Sequence, residues 1–535
     1  MRKQLFSFLF IVFILAACIP ATSIPAPVAT ASQSPTPTPA PETPQRPWWR
    51  EAIFYEIFVR SFYDTDGNGI GDFNGITEKL DYLEELGVNA IWLMPIHPSP
   101  SYHGYDVINY YAVNSEYGTI DDFKHLLEEA HSRDIRIIID LVINHTSSQH
   151  PWFQDANSNV DSKYRDHYVW SENGGNGWHP GQNGFYYAFF CDCMPDLNYR
   201  NPEVTAEILK VSNYWLNEIG VDGFRVDAAK HLIEDGDIRE NTPATHEWYK
   251  GFYAAYKEQN PQAYAIGEVF GAGASLVRSY TGDQLDQIFN FEVSNGIVNS
   301  VNGGANSGLT SAIKFALQDM PDFNFATFLT NHDQDRAMSV FGDLGMAKAA
   351  ATLLLTSPGT PFIYYGEEIG MQGQKPDENI RLPMQWSLEA NAGFTTGTPW
   401  RAPASDYQQV NVDVENEDPD SLLNHYRELI SLRRENSALT SGELALVETD
   451  NPGVYAVLRS SEEQTILVVV NLEGTPVSDY HLSLNESFLA DGTATPRTLF
   501  GTIEAIPVSI AGGKFSEFKP VEELLPYQAY IFEFE

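Results

Sequence analysis

GFRVDAAKH, residues 223–231, sets a cation and a carboxylate on one face of a strand. Side chains two apart in a strand share a face, so Arg225 and Asp227 point one way while Phe224 and Val226 point the other. A cation beside Asp227 should lower its pKa and keep it ionised. Two further stretches set a carboxylate at or just beyond an apolar run: GEVF at 267–270, with Glu268, and FLTNHD at 328–333, with Asp333. Desolvation at the end of its run would hold Glu268 protonated as an acid. An ionised carboxylate facing a protonated one is the division of labour that glycoside hydrolysis needs. Asp227, Glu268 and Asp333 are therefore the catalytic candidates.

Outward from these segments, the chain beyond Trp48 alternates strand-like and helix-like pieces, the pattern of a parallel sheet covered by helices. Apolar runs at 52–59, 90–96, 136–142, 223–227, 263–269, 287–292, 326–331 and 361–366 make eight strands, the number that closes a (β/α)8 TIM barrel. Amphipathic stretches at 76–86 and 121–133 read as crossover helices. Barrel sites lie at the C-terminal ends of the strands, where Asp227, Glu268 and Asp333 fall. Residues 146–200 form a gap after strand three that is far longer than an ordinary loop, and such loops are usually functional. After residue 435 short β-rich runs at 453–459, 465–472 and 527–535 suggest a C-terminal antiparallel β-sandwich. The expected organisation is a barrel over 48–145 and 201–435, an insertion over 146–200, and a sandwich over 436–535.

A 535-residue chain that is 43% hydrophobic can bury a large core. Its formal net charge of −40, from 32 Lys plus Arg against 72 Asp plus Glu, argues against nucleic acid and anionic membrane as partners. At the N-terminus Arg2 and Lys3 precede an apolar stretch, 5–17, too short to span a bilayer and built like a secretory signal. Residues 19–47 are rich in Pro, Thr, Ser and Ala with almost no charge, and read as an extended linker. An exported protein on a stalk is the expectation.

The three segments, together with DLVINH at 140–145, GVNAIWLMPI at 87–96, MPDLN at 194–198 and GTPFIYYGEEIG at 359–370, resemble the characteristic regions of the α-amylase family of glycoside hydrolases, in that family's order. The likeness runs from about residue 48 to the C-terminus. It implies that Asp227 is the nucleophile, Glu268 the general acid and base, and Asp333 a carboxylate that grips sugar hydroxyls, in a double displacement with retention of anomeric configuration. It makes 146–200 the B domain that walls the substrate cleft. It implies Arg225 as the partner of Asp227, with His145 and His332 donating to the sugar at the cleavage point. Tyr105 is a candidate stacking platform, Asp106 a candidate for hydroxyls at the non-reducing end, and Lys230 and His231 resemble the pair on the leaving-group side. Residues 15–18, LAAC, resemble a bacterial lipobox whose Cys18 becomes the lipidated N-terminus, which would place the protein on the cell envelope.

Asp64, Asp66, Asn68 and Asp72 alternate in DTDGNGIGD, with the Ile70 carbonyl between them. Hard oxygen ligands wrapped by glycines suit Ca²⁺, and the family resemblance implies a calcium loop of this form after strand one. It also implies a second calcium, for which Asn144 and the His231 backbone match ligands while the B-domain carboxylate stays unassigned. Cys191 and Cys193 lack a second pair to complete a zinc site, so they form a local disulfide or stay reduced.

Arg381, a candidate substrate-binding residue, opens RLPMQW, 381–386, which resembles a motif of oligosaccharide-cleaving members such as oligo-1,6-glucosidases, and MPDLN resembles the version in members intermediate between these and polysaccharide-cleaving enzymes. Ala228 stands where 1,6-specific members carry Val. The leading expectation is a monomeric α-amylase on α-1,4-glucans, polymeric or oligomeric, with transglycosylation as a side activity. The alternatives are an α-glucosidase, oligo-1,6-glucosidase or neopullulanase-like enzyme on short oligosaccharides, and a non-catalytic glucan-binding surface lipoprotein. The complete carboxylate set argues against the last.

Overall fold

The computed structural model describes residues 46–271 and 273–534. The signal-like stretch, the lipobox with Cys18 and nearly all of the linker lie outside the described residues. Among the described residues no helix is long and apolar enough to cross a membrane.

Each of the eight expected apolar runs contains a strand: β1 (Phe54–Ile57), β2 (Ala90–Leu93), β3 (Arg136–Leu141), β4 (Gly223–Val226), β5 (Tyr264–Gly267), β6 (Gln287–Ile288), β7 (Ala326–Phe328) and β8 (Thr360–Tyr364). The sixth, expected over 287–292, is cut short because Asn290 caps a helix that begins at Phe291. They pair in parallel in the order β7-β8-β1-β2-β3-β4-β5-β6. A parallel bridge between Phe289 and Ala326, with Asn290 N–H donating to Ala326 O at 2.9 Å, joins the two ends into a barrel. Inside, Phe54, Trp92, Ile138, Tyr264, Ile266, Phe289 and Phe362 pack together. Phe54 and Phe362 stack with ring centroids 4.3 Å apart.

Strand alternation then carries each inward face from apolar to charged along its length. Phe54 is followed two residues later by Glu56, Ile138 by Asp140, Gly223 by Arg225 and Asp227, and Tyr264 and Ile266 by Glu268. One end of the barrel is thereby a hydrophobic plug and the other a ring of charges.

The helix expected over 76–86 is in fact two, Phe73–Glu78 and Leu80–Leu86, meeting at Lys79. Asp72 caps the first by accepting from Gly75 N–H at 2.7 Å, and Gly87 ends the second at φ +94°, a left-handed conformation that glycine adopts without steric penalty. The helix expected over 121–133 spans Ile120–His131, opened by a Thr119–Asp122 capping box. Within the long insertion, a helix (Pro151–Ser158) precedes a three-stranded antiparallel sheet built from Trp170–Ser171, Trp178–Gly181 and Gly184–Tyr187.

The C-terminal region has a five-stranded antiparallel sheet facing a smaller three-stranded one. In Thr465–Asn471, Leu467 and Val469 join the core between these sheets while Ile466, Val468 and Val470 join the core shared with the barrel. Burial on both faces explains why that strand reads as an unbroken apolar run.

Candidate active site

Arg225 is the hub. Its side chain is 1% exposed, and Nη1 contacts Asp140 Oδ1 at 2.9 Å and Asp227 Oδ1 at 2.6 Å while Nη2 lies 3.1 Å from Glu268 Oε2. One guanidinium from β4 thus holds carboxyl groups from β3, from its own strand and from the end of β5. Glu268 Oε2 also accepts from Ala228 N–H at 3.2 Å. Ala228 has φ +47°, a left-handed conformation unfavourable for a residue with a Cβ. The turn after Asp227 is therefore held by its surroundings.

The expectation that the cation keeps Asp227 below the ordinary carboxylate range is not met. Burial raises its pKa, and Arg225 only partly reverses this. Glu268 is also raised, by burial first, with Arg225 opposing and Asp227 and Asp333 reinforcing. Asp140, fully enclosed, is pushed by burial up to about 7 despite Arg225.

Asp333 differs. Burial disfavours its charge, but His332 and Arg381 outweigh that and hold it well below the usual range. Arg381 Nη2 lies 2.9 Å from its Oδ1, and Arg381 Nε donates to His332 O at 2.9 Å. The Asp333 side chain remains 43% exposed, facing the cleft and not sealed under it.

His332 binds Glu56 Oε1 through Nδ1 at 2.5 Å and Tyr105 Oη through Nε2 at 2.7 Å. Burial lowers its pKa, yet Asp333 and Glu56 lift it to about 9, so the imidazolium persists at neutral pH. Tyr105 in turn donates to Asp140 Oδ2 at 3.1 Å and stacks on His332, centroids 5.6 Å apart. A continuous chain therefore runs from Glu56 through His332, Tyr105 and Asp140 to Arg225.

His145 Nε2 donates to Tyr105 O at 3.1 Å, and its Nδ1 lies 3.4 Å from Asn144 Nδ2. Both histidines expected to meet sugar hydroxyls thus have their ring nitrogens committed to protein groups. Asp106 is buried, and its Oδ1 accepts from Ser99 at 2.6 Å and from Ser101.

Lys230 Nζ is fixed between Glu240 Oε2 at 2.7 Å and Phe270 O at 3.1 Å. His231 stacks on Phe189 at 4.1 Å and hydrogen-bonds Arg239 O through Nδ1 at 3.1 Å. Beside this pair Phe190 and Phe270 stand 48% and 59% exposed. Cys191 and Cys193 are joined as a disulfide in the loop that carries Phe189 and Phe190.

Carboxylate oxygens of Asp64, Asp66 and Asp72 lie within 4.8 Å of one another. Asp64 organises the loop by accepting from the N–H groups of Asp66, Gly67 and Gly69. Asn68 Oδ1 accepts from Ile70 N–H at 2.8 Å. An all-oxygen donor set of this charge fits Ca²⁺. Around Asn144 a second set emerges. Its Oδ1, Asp196 Oδ2 and Glu234 Oε1 are buried acceptors without hydrogen-bond partners, and Asp196 interacts with both neighbours. Gathered oxygen acceptors of this kind fit a cation, and Asp196 is the B-domain carboxylate that stands beside Asn144.

Sequence reasoning missed Glu56, Asp140 and Asp196 as site residues. Glu56 and Asp140 were detectable as charges at inward positions of otherwise apolar strands.

The family described as "Alpha amylase, catalytic domain" matches residues 56–442. Alpha-amylase 3 of Dictyoglomus thermophilum is 43% identical over 437 residues, covering 80% of this chain and 85% of that one. Oligo-1,6-glucosidase of Parageobacillus thermoglucosidasius is 34% identical over 519 residues, covering 81% and 92%. The crystal structure of the α-amylase from H. orenii aligns with TM-score 0.78 at 38% identity, covering 90% of this chain and 99% of that one. With this match, and with the carboxyl groups gathered at the C-terminal mouth of the barrel, the chain belongs to the α-amylase family of glycoside hydrolases.

Proposed function

We propose that this hydrolase is a retaining α-amylase that cleaves α-1,4-glucosidic bonds of starch, glycogen or maltooligosaccharides. The observation that carries the chemistry is the single Arg225 guanidinium bridging Asp227 and Glu268. It holds the two carboxyl groups side by side and opposes the burial that raises both, which favours the pair sharing one proton between acid and nucleophile, as a double displacement requires. Asp227 attacks the anomeric carbon while Glu268 protonates the departing oxygen. Glu268, now a carboxylate, takes a proton from water, which releases the sugar from Asp227 with net retention. Asp333, ionised and braced by Arg381 and His332, accepts hydrogen bonds from sugar hydroxyls and favours the distorted ring. Tyr105 offers its ring to the sugar and positions Asp140 and His332.

Action on a polymer is supported by the leaving-group side. Phe190 and Phe270 leave apolar surface open there beside Lys230, which suits a glucan continuing beyond the cleavage point. A second reading, an α-glucosidase or oligo-1,6-glucosidase on short substrates, is favoured by RLPMQW and by relatives named oligo-1,6-glucosidase.

Ca²⁺ held by Asp64, Asp66, Asn68, Asp72 and the Ile70 carbonyl would neutralise crowded carboxylates and brace the loop after β1. A second ion at Asn144, Asp196 and the His231 carbonyl, with Glu234 near it, would tie the B domain to the barrel. The same reading places the protein on a bacterial envelope, lipid-linked at Cys18.

A time course of products from soluble starch, maltotriose, pullulan and isomaltose tests the reading. Early mixed-length oligosaccharides from starch with isomaltose untouched support the amylase. Glucose released only from the short substrates moves the protein to the second reading.

A further inference from the structure

Apart from the carboxyl cluster, a hollow of about 310 Å³ opens between the sheet of the B domain and the loop that follows His231. None of Asp227, Glu268 and Asp333 lines it. Trp178 and Tyr187 meet in its wall edge to face, centroids 5.4 Å apart. Trp178 is half-buried, and its indole N–H has no hydrogen-bond partner among the described residues.

Arg200 and Arg239 face the same hollow. Each uses Nη2 on a backbone carbonyl, Glu234 O at 2.5 Å and Asn176 O at 2.9 Å. Neither has a carboxylate at ion-pair distance among the described residues. The Glu234 carboxyl, in the same wall, feels the charges of both arginines without closing on either. Asp237 adds acceptors to the lining, and Glu234 borders it while its Oε1 turns inward to Asp196.

An indole ring set edge to face against a phenol ring, with guanidinium donors and carboxylate acceptors around a space at the small end of the roughly 300–1,000 Å³ range of ligand sites, matches a pyranose ring. The rings pack against its C–H face, and the polar groups meet its hydroxyls. The charge of Glu234, though its Oε1 turns inward to Asp196, already offsets the two guanidiniums, and Asp237 adds a further carboxylate, so the lining offers an anion little net positive charge and suits a neutral polyhydroxyl ligand.

We propose that this hollow is a second, non-catalytic site for one glucosyl unit of an α-glucan, an inference that rests on the α-glucan reading above. The site is coupled to the cleft, because Arg239 O receives the His231 Nδ1 hydrogen bond.

Titration calorimetry of the full-length Glu268→Gln protein with maltotriose tests this. Two classes of site are expected, one of which is lost on adding Trp178→Ala and also on adding Arg239→Met. With Glu268 intact, Trp178→Ala should keep the parent kcat on maltooligosaccharides. A single class in Glu268→Gln, or two classes that survive both substitutions, overturns the proposal. Near-ultraviolet circular dichroism identifies a variant that fails to fold, in which case the other variant gives the answer. Products typical of a glucosidase alongside a Trp178-dependent second class would remove the amylase reading and leave this site standing.

Discussion

Asp140 and Arg225 are register partners on adjacent parallel strands, and their side chains meet with Nη1 2.9 Å from Oδ1. Both are fully enclosed, so each is the other's substitute for water. Asp140 touches no position where substrate would sit, yet it fixes the guanidinium that holds Asp227 and Glu268. It is a positioning residue.

Asp140→Asn keeps the shape and removes the charge. The kcat should fall by about 10²-fold, the scale on which loss of a preorganised electrostatic partner acts, while KM changes little. The pH profile should shift as well, because Arg225 then acts on two carboxyl groups and not three. Unaltered kcat with an unaltered pH profile would show that Asp140 is only a structural ion-pair partner.

Glu268 must be protonated to act as the acid, and Asp227 ionised to act as the nucleophile. Burial raises both, so both limbs of the kcat/KM profile should lie above the ordinary carboxylate values of about 3.9 and 4.3. Activity is gained as pH rises through the lower apparent value and lost through the upper, and these values belong to the pair. Glu268→Gln should cost about 10²–10⁴-fold in kcat on unactivated glucans and abolish the alkaline limb. A Gln variant that retains that limb would assign it to another group.

Much of this architecture was legible in the sequence because barrel strands announce themselves twice, as apolar runs and by ending in charges. Arg225 and Asp227 share a face by strand period alone. The network beyond them was not legible, because it depends on register. That Asp140 stands beside Arg225 follows from how β3 and β4 slide against each other. That Glu56 reaches His332 across 276 positions depends on barrel closure. The direction of the Asp227 shift failed for a related reason: the sequence shows the cation next door but not the depth at which both are buried. His145 illustrates the limit from the other side, since its segment was recognisable while its bond to the Tyr105 carbonyl was not.

Calcium should act on stability before it acts on chemistry. Chelation is expected to lower the unfolding midpoint, with recovery on adding Ca²⁺ but not Mg²⁺, which demands near-ideal octahedral geometry and gives up its water reluctantly. At 100-fold excess over Kd a single bound ion contributes about 2.7 kcal/mol. Asp66→Asn keeps an acceptor for the Asn68 N–H, gives up the one that meets Asn68 Nδ2, and removes one negative charge from the loop site, so it should shrink the calcium-dependent shift. A midpoint indifferent to chelator in both proteins would remove Ca²⁺ from the loop.

Glu367 follows β8 and is 6% exposed, with Oε1 accepting from Tyr426 Oη at 2.8 Å and Oε2 without a partner. Burial, reinforced by Glu368 next to it, raises its pKa from 4.5 to about 8, with the Tyr426 hydrogen bond opposing. The folded protein therefore binds this proton more tightly than the unfolded chain. Its contribution to stability is complete below about pH 4.5 and is lost progressively as pH rises toward about 8. Gln resembles the protonated acid and cannot titrate. Glu367→Gln should match the parent midpoint near the acid end of that window and exceed it increasingly toward the alkaline end, measured by scanning calorimetry across the range. Parallel curves for the two proteins would mean that Glu367 is not the group whose ionisation the fold resists.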